Sequence, residues 1–197
     1  MFSGQDLRCV RGGRVVFEAL SFTLAPGAAL LLTGPNGSGK SSLLRLMAGL
    51  ARPDHGAIAW DGAPIRDDPE AHATRLSYVG HLDAVKPSLT VRENLAQWGG
   101  TAVDAAIERF GLSAALPARL LSAGQKRRCA LARLIARPAA LWLLDEPTVS
   151  LDRDSVANLM TVIAHHRAEG GMCAVSTNVE LVLPGAETLD IPRFAPA

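Results

Sequence analysis

Gly34-Pro35-Asn36-Gly37-Ser38-Gly39-Lys40-Ser41 (GPNGSGKS) satisfies the pattern G-x-x-x-x-G-K-[ST]. A chain of this length meets it by accident roughly once in a hundred tries, and the flanking sequence argues further against accident. Residues 28–33 (AALLLT) form an apolar run of strand length. After the motif, SSLLRLMAGL has helical spacing and stops at Gly49. A strand, a Gly-rich turn and a helix are the context in which this pattern cradles phosphate. The backbone N–H groups of Asn36, Gly37, Ser38 and Gly39 can turn towards phosphate oxygens, helped by the partial positive charge of the helix start. Lys40 supplies a point charge, the Ser41 hydroxyl is a ligand for Mg²⁺, and Ser42 sits next to it on the same helix turn.

Further along, strands and helices alternate. Val103, Ala106, Ile107 and Phe110 recur at helical spacing and stop at Gly111. A second helix is expected from Ser122, with Leu131, Leu134 and Ile135 on one face, ending before Pro138. Residues 140–145 (ALWLLD) then form a continuous apolar run, as parallel strands buried on both faces do. A further helix should carry Val156, Leu159, Met160 and Ile163 inward and end at Gly170-Gly171, before the buried strand MCAVS (172–176). This order implies an α/β fold with a largely parallel central sheet flanked by helices. Pro53, Pro64, Pro69 and Pro87 point to loops between residues 53 and 90.

Asp145-Glu146 closes the apolar run 140–145. Beside a phosphate loop, the first carboxylate is placed to hold Mg²⁺ and the second to orient or deprotonate an attacking water. On its own the pair would read equally well as a solvated loop start.

Composition narrows the function. The chain is 48% hydrophobic and its 20 basic residues balance 19 acidic ones, giving a net charge of +1, which is no footprint of a nucleic-acid binder. The cluster Lys126-Arg127-Arg128 reads as a solvated helix face. Cys9, Cys129 and Cys173 are far apart and fit no metal-ligand spacing, so free thiols in a reducing, cytosolic compartment are expected. The amino terminus lacks the basic-then-apolar order of a signal peptide, and no run approaches the ~18 apolar residues of a membrane span. A soluble chain without membrane insertion is expected.

Leu121-Ser122-Ala123-Gly124-Gln125 closely resembles the LSGGQ signature of the ATP-binding-cassette ATPases, and as in that family it precedes the strand that ends in the paired acids. The resemblance covers nearly the whole chain. It implies a P-loop NTPase of ABC type over residues 1–197, with a small N-terminal antiparallel β part and a short helical subdomain at roughly 82–136. It also implies ATP and Mg²⁺ as ligands, with each ATP held between two copies: the phosphate loop of one, and Ser122, Ala123, Gly124 and Gln125 of the other. Ser122 also reads as an ordinary helix cap, and the cap is itself an anion site. Ser150-Leu151-Asp152 looks like the family's D-loop, which crosses the dimer interface.

Within the family, Tyr78-Val79-Gly80-His81 followed by KPSLTVRENL (86–95) resembles the ATPase subunits of the bacterial haem exporter of cytochrome c maturation, in which histidine replaces the usual glutamine at the position of His81. His81 would then offer a nitrogen towards Mg²⁺ or its water, while residues 82–89 meet a membrane partner through Leu82, Val85 or Leu89. By the same resemblance Asn178 stands where the family keeps a switch histidine, with Thr177 as the alternative group for that role. Arg11 occupies the place of the usual adenine-stacking aromatic, with Phe17 as an alternative that also reads as core. The implied partners are a second cassette and the integral membrane subunits of a haem-handling transporter, with the chain lying peripherally on the cytoplasmic face of the bacterial inner membrane. The competing readings are a non-transport cassette doing soluble work on nucleic acid or ribosomes, and the cassette of another small ABC exporter. The single cassette and the balanced charge favour the transport reading over the soluble one.

Overall fold

The computed structural model describes residues 1–179 and 181–196. The strands form two sheets. The first is antiparallel and begins with two long strands, β1 (Phe2–Arg11) and β2 (Arg14–Leu24), joined by a tight turn through Gly12 and Gly13. With β4 (His55–Trp60) and β5 (Ala63–Pro64) it runs in the order β2-β1-β4-β5. The second is parallel: β3 (Ala29–Thr33), β6 (Leu76–Val79), β7 (Leu141–Asp145), β8 (Met172–Ser176) and β9 (Glu187–Asp190), in the order β6-β7-β8-β3-β9.

Side-chain alternation along the parallel strands sorts residues into two cores. Leu30, Leu32, Leu141, Leu143, Met172 and Ala174 face the antiparallel sheet and α1 (Lys40–Met47), where they pack with Phe2, Phe17, Leu43 and Leu46. Ala29, Trp142, Leu144, Cys173 and Val175 face the opposite way. There they meet α3 (Val91–Ala96), α4 (Val103–Arg109), α5 (Ala123–Ala136) and α6 (Arg153–Ala168). The sheet is apolar on both sides because helices cover one face and strands with a helix cover the other. All three thiols are buried and free, and burial pushes Cys129 up to about 11 and Cys173 up to about 12. Among the described residues no helix is long and apolar enough to cross a membrane.

Three expectations need correction. The Pro-rich stretch 53–90 is loop only in part: it holds β4, β5, α2 (Pro69–Arg75) and β6, and residues 80–90 are the loop that remains. Two of its prolines are built into elements, Pro64 on an edge strand and Pro69 in the first turn of α2, where a missing N–H is harmless, while Pro53 and Pro87 lie in loops. On α6 the inward residues are Leu159, Val162 and Ile163, with Met160 packed beside them, while Val156 is only half-buried. Lastly, Lys126-Arg127-Arg128 is not a uniformly solvated face. Arg127 is 3% exposed, because α5 packs its amino-terminal turns against the ends of β6 and β7 and carbonyl oxygens there take up its N–H groups.

Candidate functional site

Because the five strands are parallel, their carboxyl ends lie on one edge, and the loops leaving β3, β8, β7 and β6 stand side by side there. The register aligns Asp145 of β7 with Ser176 of β8, and Ser176 with Leu32 of β3. Residues distant in sequence thus reach one place: the phosphate loop after β3, Thr177-Asn178 after β8, Glu146 after β7 and His81 after β6.

A cleft of about 440 Å³ opens at that edge and is lined by Arg11, Asn36, Gly37, Gly39, Lys40, Ser41, Ser42, His81, Asp145, Glu146 and Asn178. Ser38 is next to it with a buried hydroxyl that has no protein partner. Gly39 caps α1 at φ 108°, and a Cβ there would lie 2.5 Å from Val16 Cγ1, so both conformation and space demand glycine. Lys40 is 5% exposed. Its ammonium donates to the carbonyls of Gly34 (2.7 Å) and Pro35 (3.1 Å) and stands 3.9 Å from Glu146 Oε1.

Three side chains form a knot at the cleft, Ser41 and Asp145 from its lining and the fully buried Ser176 behind them. Ser41 Oγ and Ser176 Oγ both donate to Asp145 Oδ1, at 3.0 Å and 2.6 Å, and Asp145 is 1% exposed. The Glu146 N–H donates to Ser176 Oγ at 3.0 Å. Glu146 itself sits at φ 51°, a left-handed conformation that side chains rarely adopt and that clusters at functional sites. A hydroxyl beside a fixed carboxylate oxygen is the donor set Mg²⁺ takes from a protein when phosphate and water supply the rest. Sequence reasoning missed Ser176, which looked like the last residue of a buried strand. Its pairing with Asp145 follows only from the register of β7 against β8.

Asn178 is exposed at the rim, and its amide donates to Asn36 Oδ1 at 3.4 Å. The alternative, Thr177, is turned away: its hydroxyl donates to the Val179 carbonyl (2.8 Å) and accepts from the Val179 N–H (3.1 Å). Phe17 is fully buried in the core, which leaves Arg11 as the residue of that pair on the cleft.

The LSAGQ residues and Asp152 do not line this cleft. Ser122 caps α5 in a reciprocal box: its Oγ accepts from the Gln125 N–H (3.2 Å) and Gln125 Oε1 accepts from the Ser122 N–H (2.9 Å). Gly124 is pressed against the next loop, since a Cβ there would fall 2.8 Å from the Ser150 carbonyl oxygen. Asp152 caps α6 through the Ser155 N–H, a bond that holds its carboxyl below its ordinary range. Residues 122–125 and the 150–152 turn therefore pack on each other, and none of them lines the cleft of their own chain.

The family model described as ABC transporter matches residues 17–149. The chain belongs to the ABC transporter family. As an ABC cassette it is an ATP-binding ATPase subunit. It is 59% identical to the cytochrome c biogenesis ATP-binding export protein CcmA of Rhodospirillum rubrum, over 100% of this chain and 88% of that protein. To the protein of the same name from Paramagnetospirillum magneticum it is 56% identical, over 100% and 96%. Among solved structures, a putative ABC transporter ATP-binding protein from Pyrococcus furiosus superimposes with a TM-score of 0.86 at 24% identity, covering 99% of both chains. A dimeric ATP-binding cassette bound to ADP and Pi superimposes with a TM-score of 0.80 at 21% identity, covering 91% of this chain and 88% of that one. Both likenesses support the ABC cassette fold.

Proposed function

We propose that this chain is the ATP-hydrolysing subunit of a membrane complex that exports or releases haem for cytochrome c biogenesis, acting as one nucleotide-binding domain in a homodimer on the cytoplasmic face of the inner membrane. The relatives' name, cytochrome c biogenesis ATP-binding export protein, supports the biological setting. The Ser41–Asp145–Ser176 knot, with Glu146 beside Lys40, is the observation that carries the chemistry.

In this reading Gly37, Ser38, Gly39 and Ser42 wrap the phosphates, Lys40 offsets their charge, and Arg11 lies flat on the adenine. Ser41 and Asp145 would hold Mg²⁺, with His81 near its water, and the ion would draw negative charge from the phosphate oxygens. Glu146 accepts a proton from a water whose oxygen attacks the γ-phosphorus as the bond to the ADP oxygen breaks. Asn178 donates one hydrogen bond to the departing phosphoryl group where a histidine would offer a ring and a charge, so turnover is slow. Ser122, Ala123, Gly124, Gln125 and Asp152 complete the site of the second copy, in keeping with their distance from their own cleft. Among the fold relatives, one cassette is a dimer with ADP and Pi.

Residues 82–89 and a neighbouring groove of about 790 Å³ suit the membrane subunit. His81 lines both the groove and the nucleotide cleft, and Leu82, Leu50 and Trp98 stand exposed around the groove. Val85 packs on the chain's own helical core, which leaves Leu82 as the foremost apolar contact for a partner.

Glu146→Gln tests the reading. It should bind ATP with native affinity, lose turnover by about 10²-fold or more, and sediment as a dimer with ATP. A monomer under those conditions, even with the membrane subunits added, would overturn the shared-site model.

A further inference from the structure

The guanidinium of Arg127 has five N–H groups, and all five are used. Nε donates to the Pro147 carbonyl at 3.2 Å, and Nη2 donates to the carbonyls of Asp145 and Glu146, both at 2.8 Å. Nη1 donates to the Gly80 carbonyl at 2.9 Å and to Asp83 Oδ1 at 3.1 Å. Three contacts thus hold the backbone segment that carries Glu146, and two hold the loop that carries His81. The Arg127 side chain is 4% exposed, against 28% for Asp83, so the only charged end of this bridge is the one that reaches the partner-facing loop.

The bridge has a mechanical reason to exist. Glu146 sits at φ 51°, a left-handed conformation that L side chains rarely adopt and that persists only where its surroundings over-determine it. The carbonyls on both sides of that strained residue and its own are clamped by one rigid, planar group.

We infer that Arg127 is a positioning residue for hydrolysis: it fixes the Glu146 backbone relative to the His81 loop, so that a displacement of residues 80–83 is felt at the carboxylate. This rests on Glu146 being the base. None of the five hydrogen bonds goes to the phosphate loop, so the effect of Arg127 belongs to the chemical step and not to nucleotide binding.

The test is steady-state ATPase kinetics and nucleotide affinity of the full chain. Arg127→Met should lower kcat by about 10- to 100-fold, the scale set by small misplacements of catalytic groups, with KM and ATP affinity unchanged. Arg127→Lys should recover little, since a single ammonium cannot span both loops. Asp83→Asn, which leaves the buried carbonyl contacts in place, should lower kcat by roughly threefold in the native chain and have no effect in the Arg127→Met background. Should Arg127→Met fail to fold, the Lys and Asn variants carry the test alone.

A raised KM at native kcat, full rescue by lysine, or an equal effect of Asp83→Asn in both backgrounds would each overturn the inference. Glu146→Gln is measured alongside. Retained turnover there would sink the assignment of the base, whereas a dead Glu146→Gln with native kcat in the Arg127 variants would sink only the role of Arg127.

Discussion

Asn178 and Glu146 show how much a single side chain decides once the backbone has placed it. Asn178 is at the cleft rim with its amide donating to Asn36, and the Thr177 hydroxyl is committed to its own turn, so no neighbouring group of β8 replaces what the asparagine lacks. An imidazole adds a second nitrogen and a possible positive charge at the same reach. Asn178→His should therefore raise kcat, by up to about 10²-fold if the full value of one preorganised donor is regained, with ATP affinity nearly constant. ATPase rates of the two versions with the membrane subunits present decide this, and equal rates would take residue 178 out of the reaction.

At the scale of elements, α5 begins with a cap that does two jobs. Ser122 and Gln125 satisfy each other's backbone N–H groups, which stabilises the helix that forms much of the second core. In the proposed dimer the same N-terminus is offered to the other copy's triphosphate. The two roles separate by charge. Ser122→Ala loses the cap, costing about 1 kcal/mol and lowering Tm by ~2–4 °C for a domain of this size. Ser122→Asp keeps a good cap, so Tm should stay near native, but it sets a carboxylate against the γ-phosphate and should abolish ATP-driven dimerisation. Thermal melts and sedimentation in the Glu146→Gln background read the two effects independently. A dimer retained by Ser122→Asp would reduce Ser122 to a cap alone.

At the scale of the whole molecule, the nucleotide cleft and the groove beside residues 82–89, the proposed partner face, share His81. The loop between them is anchored from within: Asn94, 3% exposed, accepts from the Lys86 N–H and donates to the Lys86 and Thr90 carbonyls, while Leu82 is left 81% exposed. A cysteine at position 82 should crosslink to a membrane subunit in the assembled complex. The native thiols will not interfere, since all three are buried and Cys129 and Cys173 stay protonated well above neutral pH. Crosslinks that reach only other proteins would remove this loop from the interface.

The sequence by itself determined the parts whose physics is local. GPNGSGKS between a strand and a helix, the apolar runs 140–145 and 172–176 with their polar ends, and the serine before α5 could each be read in place, because turn chemistry and hydrophobic period act over a few residues. They carried the α/β order with a largely parallel sheet, the phosphate loop and the Asp145-Glu146 pair, while the ABC type and the roles of Arg11, His81 and Asn178 came from resemblance to the family. Only the tertiary structure decided what depends on strands meeting: Ser176 as the partner that locks Asp145, Phe17 as core, and β4, β5, α2 and β6 within the stretch 53–79. Arg127 is the clearest case. In sequence it is the middle of three basic residues, and basic runs usually stay in water because removing a cation from water costs several kcal/mol. What offsets that cost here is a set of five oxygens from two loops, gathered by the parallel order of β6 and β7 and by the packing of α5 across their ends, and no local pattern in the chain encodes that coincidence.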